Sequence, residues 1–355
     1  MSKFLSKNHA SLNAYVPGEQ PTGMEYIKLN TNESPFPPPP NVLACVTDGE
    51  IEKLRLYPNP DGISLIKKLA ETYSVKAENI IIGNGSDELL AFAFLAFCDE
   101  TRGVAFPDIT YGFYPVYAEL FGIPYEQIPL RDDFTINFTK YIEIGKNIII
   151  ANPNAPTGIE LPLFEIEIIA RSNPDCIVLV DEAYVDFGAQ SAVSLINKHE
   201  NLIVMHTYSK SRSLAGARMA YAIACAPLIE DLNKMKFSFN PYNVNRLTQI
   251  MAEACLENEE YFTSKRREII STRGYSAEKL GQMGFLMTDS KANFIFTKHE
   301  KMGGHELYTA LKEKGILVRQ WNSQSRIKDY LRITIGTRSQ MDALITALKE
   351  ILEGE

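Results

Sequence analysis

From residue 63 to about residue 225 two kinds of apolar pattern alternate along the chain. "ISLIKKLAETYS", "SDELLAFAFLAFC" and, beyond its proline, "YGFYPVYAELFG" predict helices, the second apolar on nearly every face and therefore buried. Between and after them lie short runs bounded by Gly, Pro and Asn: "NIIIG" (79–83), "GVAF", "KNIIIAN" (146–152), "CIVLVDEAY" (176–184), "NLIVMHTYS" (201–209) and "ARMAYAIAC" (217–225). Continuous apolar runs alternating with helices predict an α/β fold, a mostly parallel sheet covered by helices on both faces. The first 45 residues read as loop, ending in the proline run "NESPFPPPP" (32–40), which must be extended. A helical pattern and the turn-rich "LYPNPDG" (56–62) follow. A long helical stretch is expected over about 243–282. The remainder, "ANFIFTK", "ELYTALKEKG", "ILVRQ", "YLRITIG" and "QMDALITALKEIL", reads as a smaller α+β domain. The expected organisation is an N-terminal arm with part of the small domain over 1–46, a large domain over 47–250, and a small C-terminal domain over 251–355.

Composition narrows the classes of function. With 355 residues, 45% of them apolar, the chain can bury a large core. A net charge of -8 with no basic stripe argues against nucleic acid, and "SKRREII" (264–270) reads as a solvated helix face. The longest apolar run, "LLAFAFLAFC" (89–98), is too short to span a bilayer, and the polar N-terminus carries no signal-peptide core. Cys45, Cys98, Cys176, Cys225 and Cys255 are scattered, with no CxxC pair, which reads as reduced thiols in the cytoplasm. His299 and His305 fit no metal spacing, so no metal is expected.

In sheets of this kind ligands bind outside the carboxyl ends of the strands. Polar clusters sit at those ends: "GNGSDE" (83–88), "ITYGFY" (109–114), "NPNAPTG" (152–158), "DEAY" (181–184) and "YSKSRSLAGAR" (208–218). A lone lysine at a strand end is usually a solvated charge, and Ser-Asp-Glu is also a common helix cap. Taken together, the set suits a phosphorylated pyridine aldehyde. Lys210 would hold the aldehyde as a Schiff base, Asp181 would keep the ring nitrogen protonated, and Tyr184 would meet the ring hydroxyl. Tyr111 would cover the ring. The turn at Gly85, with Ser86, Asp87, Ser209 and Arg218, would form a phosphate cup, Arg218 returning on the next strand. The expected ligand of that description is pyridoxal 5'-phosphate.

"DEAY", with Lys210 of "SKSRSLAGAR" 26 residues beyond Tyr184, resembles the fold-type I pyridoxal-phosphate aminotransferases over nearly the whole chain. "AYVPGE", "KLNTNESP" (28–35), "LYPNPDG", "GNGSDELL", "NPNAPTG" and "YLRITIGT" (330–337), in this order, are similar to the histidinol-phosphate aminotransferase family. The resemblance implies a large pyridoxal-phosphate-binding domain and a homodimer with shared sites, Tyr57 reaching the neighbouring subunit's cofactor phosphate. It implies Arg332 as the carboxylate-binding arginine, Arg319 near the substrate phosphate, Tyr15 closing over the substrate and Asn32 lining the site. The implied reaction moves an amino group between glutamate (returning 2-oxoglutarate) and imidazole acetol phosphate, giving histidinol phosphate for histidine biosynthesis. Two positions depart from the family. Ala155 stands where an asparagine often meets the ring hydroxyl, leaving Asn154 or a water for that role, and Ala343 stands where a further phosphate-binding arginine is common. Arg212 replaces a frequent aromatic and suggests only a surface or interface ion pair. An aromatic-amino-acid aminotransferase and a threonine-phosphate decarboxylase share nearly all the cofactor residues. A non-catalytic binding module is disfavoured by the intact lysine and by the lack of any attached DNA-binding segment.

Overall fold

The computed structural model describes residues 4–10, 12–21, 25–321 and 324–354. In chain order, the N-terminal part holds β1 (Ile27–Lys28), α1 (Pro40–Ala44), α2 (Asp48–Glu52) and α3 (Ile63–Tyr73). The proline run is extended only as far as Pro39. Pro40 opens α1, where a missing N–H costs no helical bond.

The central part runs β2 (Ile80–Asn84), α4 (Ser86–Phe97), β3 (Val104–Pro107), α5 (Phe113–Phe121), β4 (Tyr125–Ile128), β5 (Asn147–Ala151), α6 (Leu163–Ser172), β6 (Val178–Asp181), β7 (Leu202–Thr207) and β8 (Met219–Ala224). Its seven strands form one sheet in the order β2-β8-β7-β6-β5-β3-β4. All neighbours are parallel except β8, which is antiparallel to both β2 and β7. The strand period of two divides the apolar runs between two cores. Ile80, Ile82, Ile148, Ile150, Val178 and Val204 face one, and Ile81, Ile149, Leu179, Ile203 and Met205 face the other. Burial on both faces is why these strands read as unbroken apolar runs.

The chain continues through α7 (Ala226–Phe239), α8 (Arg246–Leu256), α9 (Glu259–Gln282), β9 (Phe285–Met287), β10 (Phe294–His299), α10 (Gly304–Glu313), β11 (Ile316–Leu317), β12 (Arg319–Gln320), β13 (Leu331–Thr334) and α11 (Arg338–Glu353). The antiparallel sheet β12-β13-β10-β9 has its own core with α10 and α11, and β1 pairs with β11. The N-terminal arm is thereby stitched to this smaller unit.

Three elements differ from the pattern reading. The edge strand β4, "YEQI", gave no apolar run because three of its four residues are exposed. Helix α7 was not legible either: it buries only Ile229, Leu232 and Lys236, and leaves Phe237 and Phe239 exposed. The stretch 243–282 is two helices, parted at Glu257 and Asn258, and α8 starts where the Asn245 side chain accepts the Thr248 N–H at 2.9 Å. Among the described residues no helix is long and apolar enough to cross a membrane.

Candidate active site

The strand ends meet around two adjoining cavities. The smaller, about 110 Å³, is lined by Ser86, Asp87, Asp181, Ser209 and Arg218, and the larger, about 490 Å³, by Tyr15, Asn32, Arg319, Trp321 and Arg332. Tyr111, Ala155, Tyr184 and Lys210 border both. The parallel strands β6 and β7 explain the meeting: Asp181 ends one, and the other delivers Ser209 and Lys210 just beyond Thr207.

Asp181 is buried, and burial pushes its carboxyl up to about 6. Two donors oppose this, the Tyr114 hydroxyl at 3.0 Å and the Ala183 N–H at 3.2 Å. An enclosed acid held by uncharged donors is suited to a cationic ligand atom. Tyr184, nearly buried, accepts the Asn32 Nδ2–H at 2.9 Å. Asn32 is itself fixed, at φ 57°, by Thr334 (3.0 Å) and by the Asn293 amide, which donates to its carbonyl at 3.0 Å. A single chain of contacts therefore joins the arm, the small sheet and the loop after β6. The Lys210 Nζ donates to the Thr31 carbonyl at 3.2 Å and lies 5.8 Å from the Tyr184 ring centre.

At the other end of the smaller cavity, α4 begins at Ser86 after Gly85, whose φ is 79°. A Cβ on Gly85 would lie 2.4 Å from Arg218 Nη2, so glycine lets the guanidinium lie over the helix start. Arg218 stands one residue before β8 rather than on it, in the left-handed region at φ 57°, because the chain reverses there into an antiparallel strand. Asp87 accepts from Arg218 at 3.0 Å and from the Tyr111 hydroxyl at 2.8 Å. Its carboxylate is thus committed to positioning, and an anion there would meet Ser86, Ser209, Arg218 and the positive helix end.

Arg332 spans the larger cavity between the rings of Phe294 (5.4 Å) and Trp321 (5.8 Å). One nitrogen donates to the Asn30 carbonyl at 2.9 Å, while its Nε is buried without a hydrogen-bond partner. Arg319 reaches the Val16 and Pro17 carbonyls of the strap that carries Tyr15, and the Tyr15 ring lies 4.5 Å from Phe113. Two arginines beside a buried acid and an amine make a site for a substrate with an anionic group and a reacting amine or carbonyl.

Asn154 and Arg212 stand elsewhere than the sequence suggests, and Tyr57 lies outside the two cavities of its own subunit. Asn154 does not line either cavity: its amide donates to Ile109 O (2.9 Å) and Thr157 Oγ1 (3.1 Å) and accepts from Thr110 (2.8 Å), and Ala155 takes the cavity wall. Tyr57 is 78% exposed, outside both cavities, and stacked on Tyr242 at 4.4 Å. Arg212 is buried, 2.6 Å from Glu259 and over Phe262. Burial opposes ionisation of nearby Asp186, but Arg212 and Arg266 prevail and hold its carboxyl below the usual range. The Ser211 hydroxyl bonds Asp186, so this cluster braces the loop that bears Lys210. Sequence reasoning also passed over Tyr114, Thr207 and Trp321. Tyr114 lies in the quoted "ITYGFY" and Trp321 is the only tryptophan, but nothing in either pattern says that they face the site.

A doubly covered sheet with a lysine, an acid and an anion cup at its carboxyl edge defines a class, and residues 24–348 match the family model for aminotransferase class I and II, to which this chain belongs. Within that class it is a member of the histidinol-phosphate aminotransferase family. It is 47% identical over 354 residues to the histidinol-phosphate aminotransferase of Brachyspira hyodysenteriae, covering 99% of this chain and 100% of that one. It is 49% identical over 353 residues to that of Marinomonas sp., with the same two coverages. The solved histidinol-phosphate aminotransferase of Sinorhizobium meliloti in complex with pyridoxal-5'-phosphate superposes with a TM-score of 0.89 at 22% identity, over 100% of this chain and 99% of that one, which speaks for the fold.

Proposed function

We propose that the chain works in the cytoplasm as a homodimeric, pyridoxal-phosphate-dependent aminotransferase, exchanging an amino group between the glutamate/2-oxoglutarate pair and the histidinol phosphate/imidazole acetol phosphate pair. The observation that carries this reading is Asp181: a buried acid whose hydrogen-bond donors are uncharged, on the same small cavity as Lys210 and Arg218. Pyridoxal 5'-phosphate, when bound, supplies an electrophilic carbon and an electron-withdrawing ring. Lys210 would hold it covalently, Asp181 would face its ring nitrogen, Tyr184 its ring hydroxyl, and Ser86, Ser209 and Arg218 its phosphate.

The residues then divide the work. Lys210 Nζ, at the seam of the two cavities, would be freed when the substrate amine takes its place on the cofactor, and would then carry the proton from the substrate's amine-bearing carbon to the cofactor carbon. Arg332 orients the substrate through its anionic group, since a planar guanidinium receives carboxylate and phosphate alike. Arg319 adds a second positive charge suited to a phosphate dianion. Tyr15 and its strap exclude water. Five free thiols agree with a reducing compartment. For the dimer, the exposed apolar residues Leu54, Leu56 and Tyr57 join Phe237, Phe239 and Tyr242 through the Tyr57–Tyr242 stack, an apolar surface of the kind subunits bury. We propose the same division of the chain as above: arm, large domain, small domain.

Steady-state comparison of histidinol phosphate, phenylalanine and phosphothreonine tests the reading. Histidinol phosphate with 2-oxoglutarate should give the highest kcat/KM. Faster turnover of phenylalanine would move the chain to the aromatic aminotransferases, and carbon dioxide release from phosphothreonine to the decarboxylases.

A further inference from the structure

Lys236 is 1% exposed, an unusual position for a lysine, which is almost never fully buried without a partner. It lies on α7, away from both cavities, and its Nζ donates to the Pro60 carbonyl at 2.7 Å. Burial pulls its pKa below the usual lysine range, against the pull of Asp61 and Glu88. Pro60 belongs to the loop that follows Tyr57. The Asn59 side chain closes that loop by accepting the Asp61 and Gly62 N–H groups, both at 2.9 Å, and Gln249 of α8 donates to the Asn59 carbonyl at 3.0 Å. Tyr57 is held from its other side by Tyr242. The residue after Tyr242, Asn243, donates to Glu88 (2.5 Å), and its carbonyl accepts from Asn84 (2.9 Å). Asn84 and Glu88 flank the Gly85–Asp87 turn of the smaller cavity. An exposed ring is thus supported by a buried amine, a buried amide and the turn of its own subunit's anion cup.

We infer that Lys236 is a positioning residue which, through Pro60, fixes the loop that presents Tyr57 to the partner subunit's cofactor phosphate. The inference rests on the shared-site dimer proposed above. The physical reason is preorganisation: a tyrosine on an untethered surface loop loses conformational freedom when it binds, and a clamped loop has already lost it.

The test is a double-mutant cycle on the full-length apoprotein, titrated with pyridoxal 5'-phosphate and followed by visible absorbance and by the fluorescence of Trp321, the only tryptophan. Tyr57→Phe should weaken binding about tenfold, as for one lost hydrogen bond to a charged group. Lys236→Met, close in volume, should weaken it about three- to tenfold. In the double variant, Lys236→Met should add less than about twofold to Tyr57→Phe, because it acts through that ring. Additive losses, or Lys236→Met binding like the wild type while Tyr57→Phe does not, would overturn the inference and leave the shared site standing. Wild-type affinity in Tyr57→Phe would instead overturn the shared site and the inference with it. Should Lys236→Met not fold, Lys236→Gln, neutral and too short to reach the Pro60 carbonyl, completes the same cycle with the same expected non-additivity, and additivity there overturns the inference.

Discussion

At Asp181 a carboxyl is enclosed with the Tyr114 hydroxyl and the Ala183 amide as its donors. Its ordinary value is 3.8, and burial raises it to about 6 in the folded chain. Below about pH 3 both folded and unfolded chains carry the proton. As pH rises toward 6 the unfolded chain ionises first, so the folded apoprotein loses stability, by about 3 kcal/mol at most. Asparagine removes that titration. Denaturant unfolding of the two apoproteins should therefore show the wild type losing about 2–3 kcal/mol relative to Asp181→Asn between pH 4 and pH 7, and parallel stabilities would refute the buried acid. In the loaded enzyme the same change should lower kcat about a hundredfold, because an amide cannot balance a ring cation. The arginines make a second comparison. Arg332→Ala should reduce kcat/KM for glutamate and histidinol phosphate alike by about ten- to a hundredfold. Arg319→Ala should harm histidinol phosphate more, and Ala343 leaves no arginine at that position to compensate. Equal losses in Arg319→Ala would end the proposed division of labour.

The turn between β2 and α4 shows how an element sets a site. Gly85 has φ 79° and faces the Arg218 guanidinium, so Gly85→Ala carries both backbone strain and a displaced arginine. Stability should fall by about 1–3 kcal/mol. Affinity for pyridoxal 5'-phosphate should fall at least tenfold, measured by titration of the apoprotein, as expected for one displaced charge-assisted contact. A variant that loses stability but keeps cofactor affinity would show that Arg218 is not part of the anion cup. The loop after β7 is built differently. Thr207 accepts the Ser209 N–H at 3.1 Å and Asp186 holds Ser211, so the residues on both sides of Lys210 are pinned. Arg212 extends the bracing to Glu259 at the start of α9, the helix that leads into the smaller unit.

For the whole molecule the sharpest prediction is complementation. Lys210→Ala should fold and lose nearly all activity. A Tyr57 variant severe enough to be inactive should recover activity when co-expressed with it, because one of the two hybrid sites then holds both native groups; verified heterodimers without activity would show that each site is complete within one chain. The same scale separates what the residues disclose from what the fold decides. The chain by itself determined the doubly covered sheet, because burial on both faces writes unbroken apolar runs, and it set Asp181, Tyr184, Ser209 and Lys210 at strand ends, because polar groups cannot continue such runs. It determined little where an element is half exposed: β4 and α7 carry no readable period, since an edge strand and a helix with an exposed apolar face have no single buried side. Only the tertiary structure decided that the Asn154 amide serves its own turn, that Arg212 is a buried brace rather than a surface charge, and that Tyr114 meets Asp181 and Trp321 meets Arg332. Those facts depend on which distant carbonyls, rings and carboxylates a side chain meets after the sheet has closed, and no local pattern of polarity encodes that.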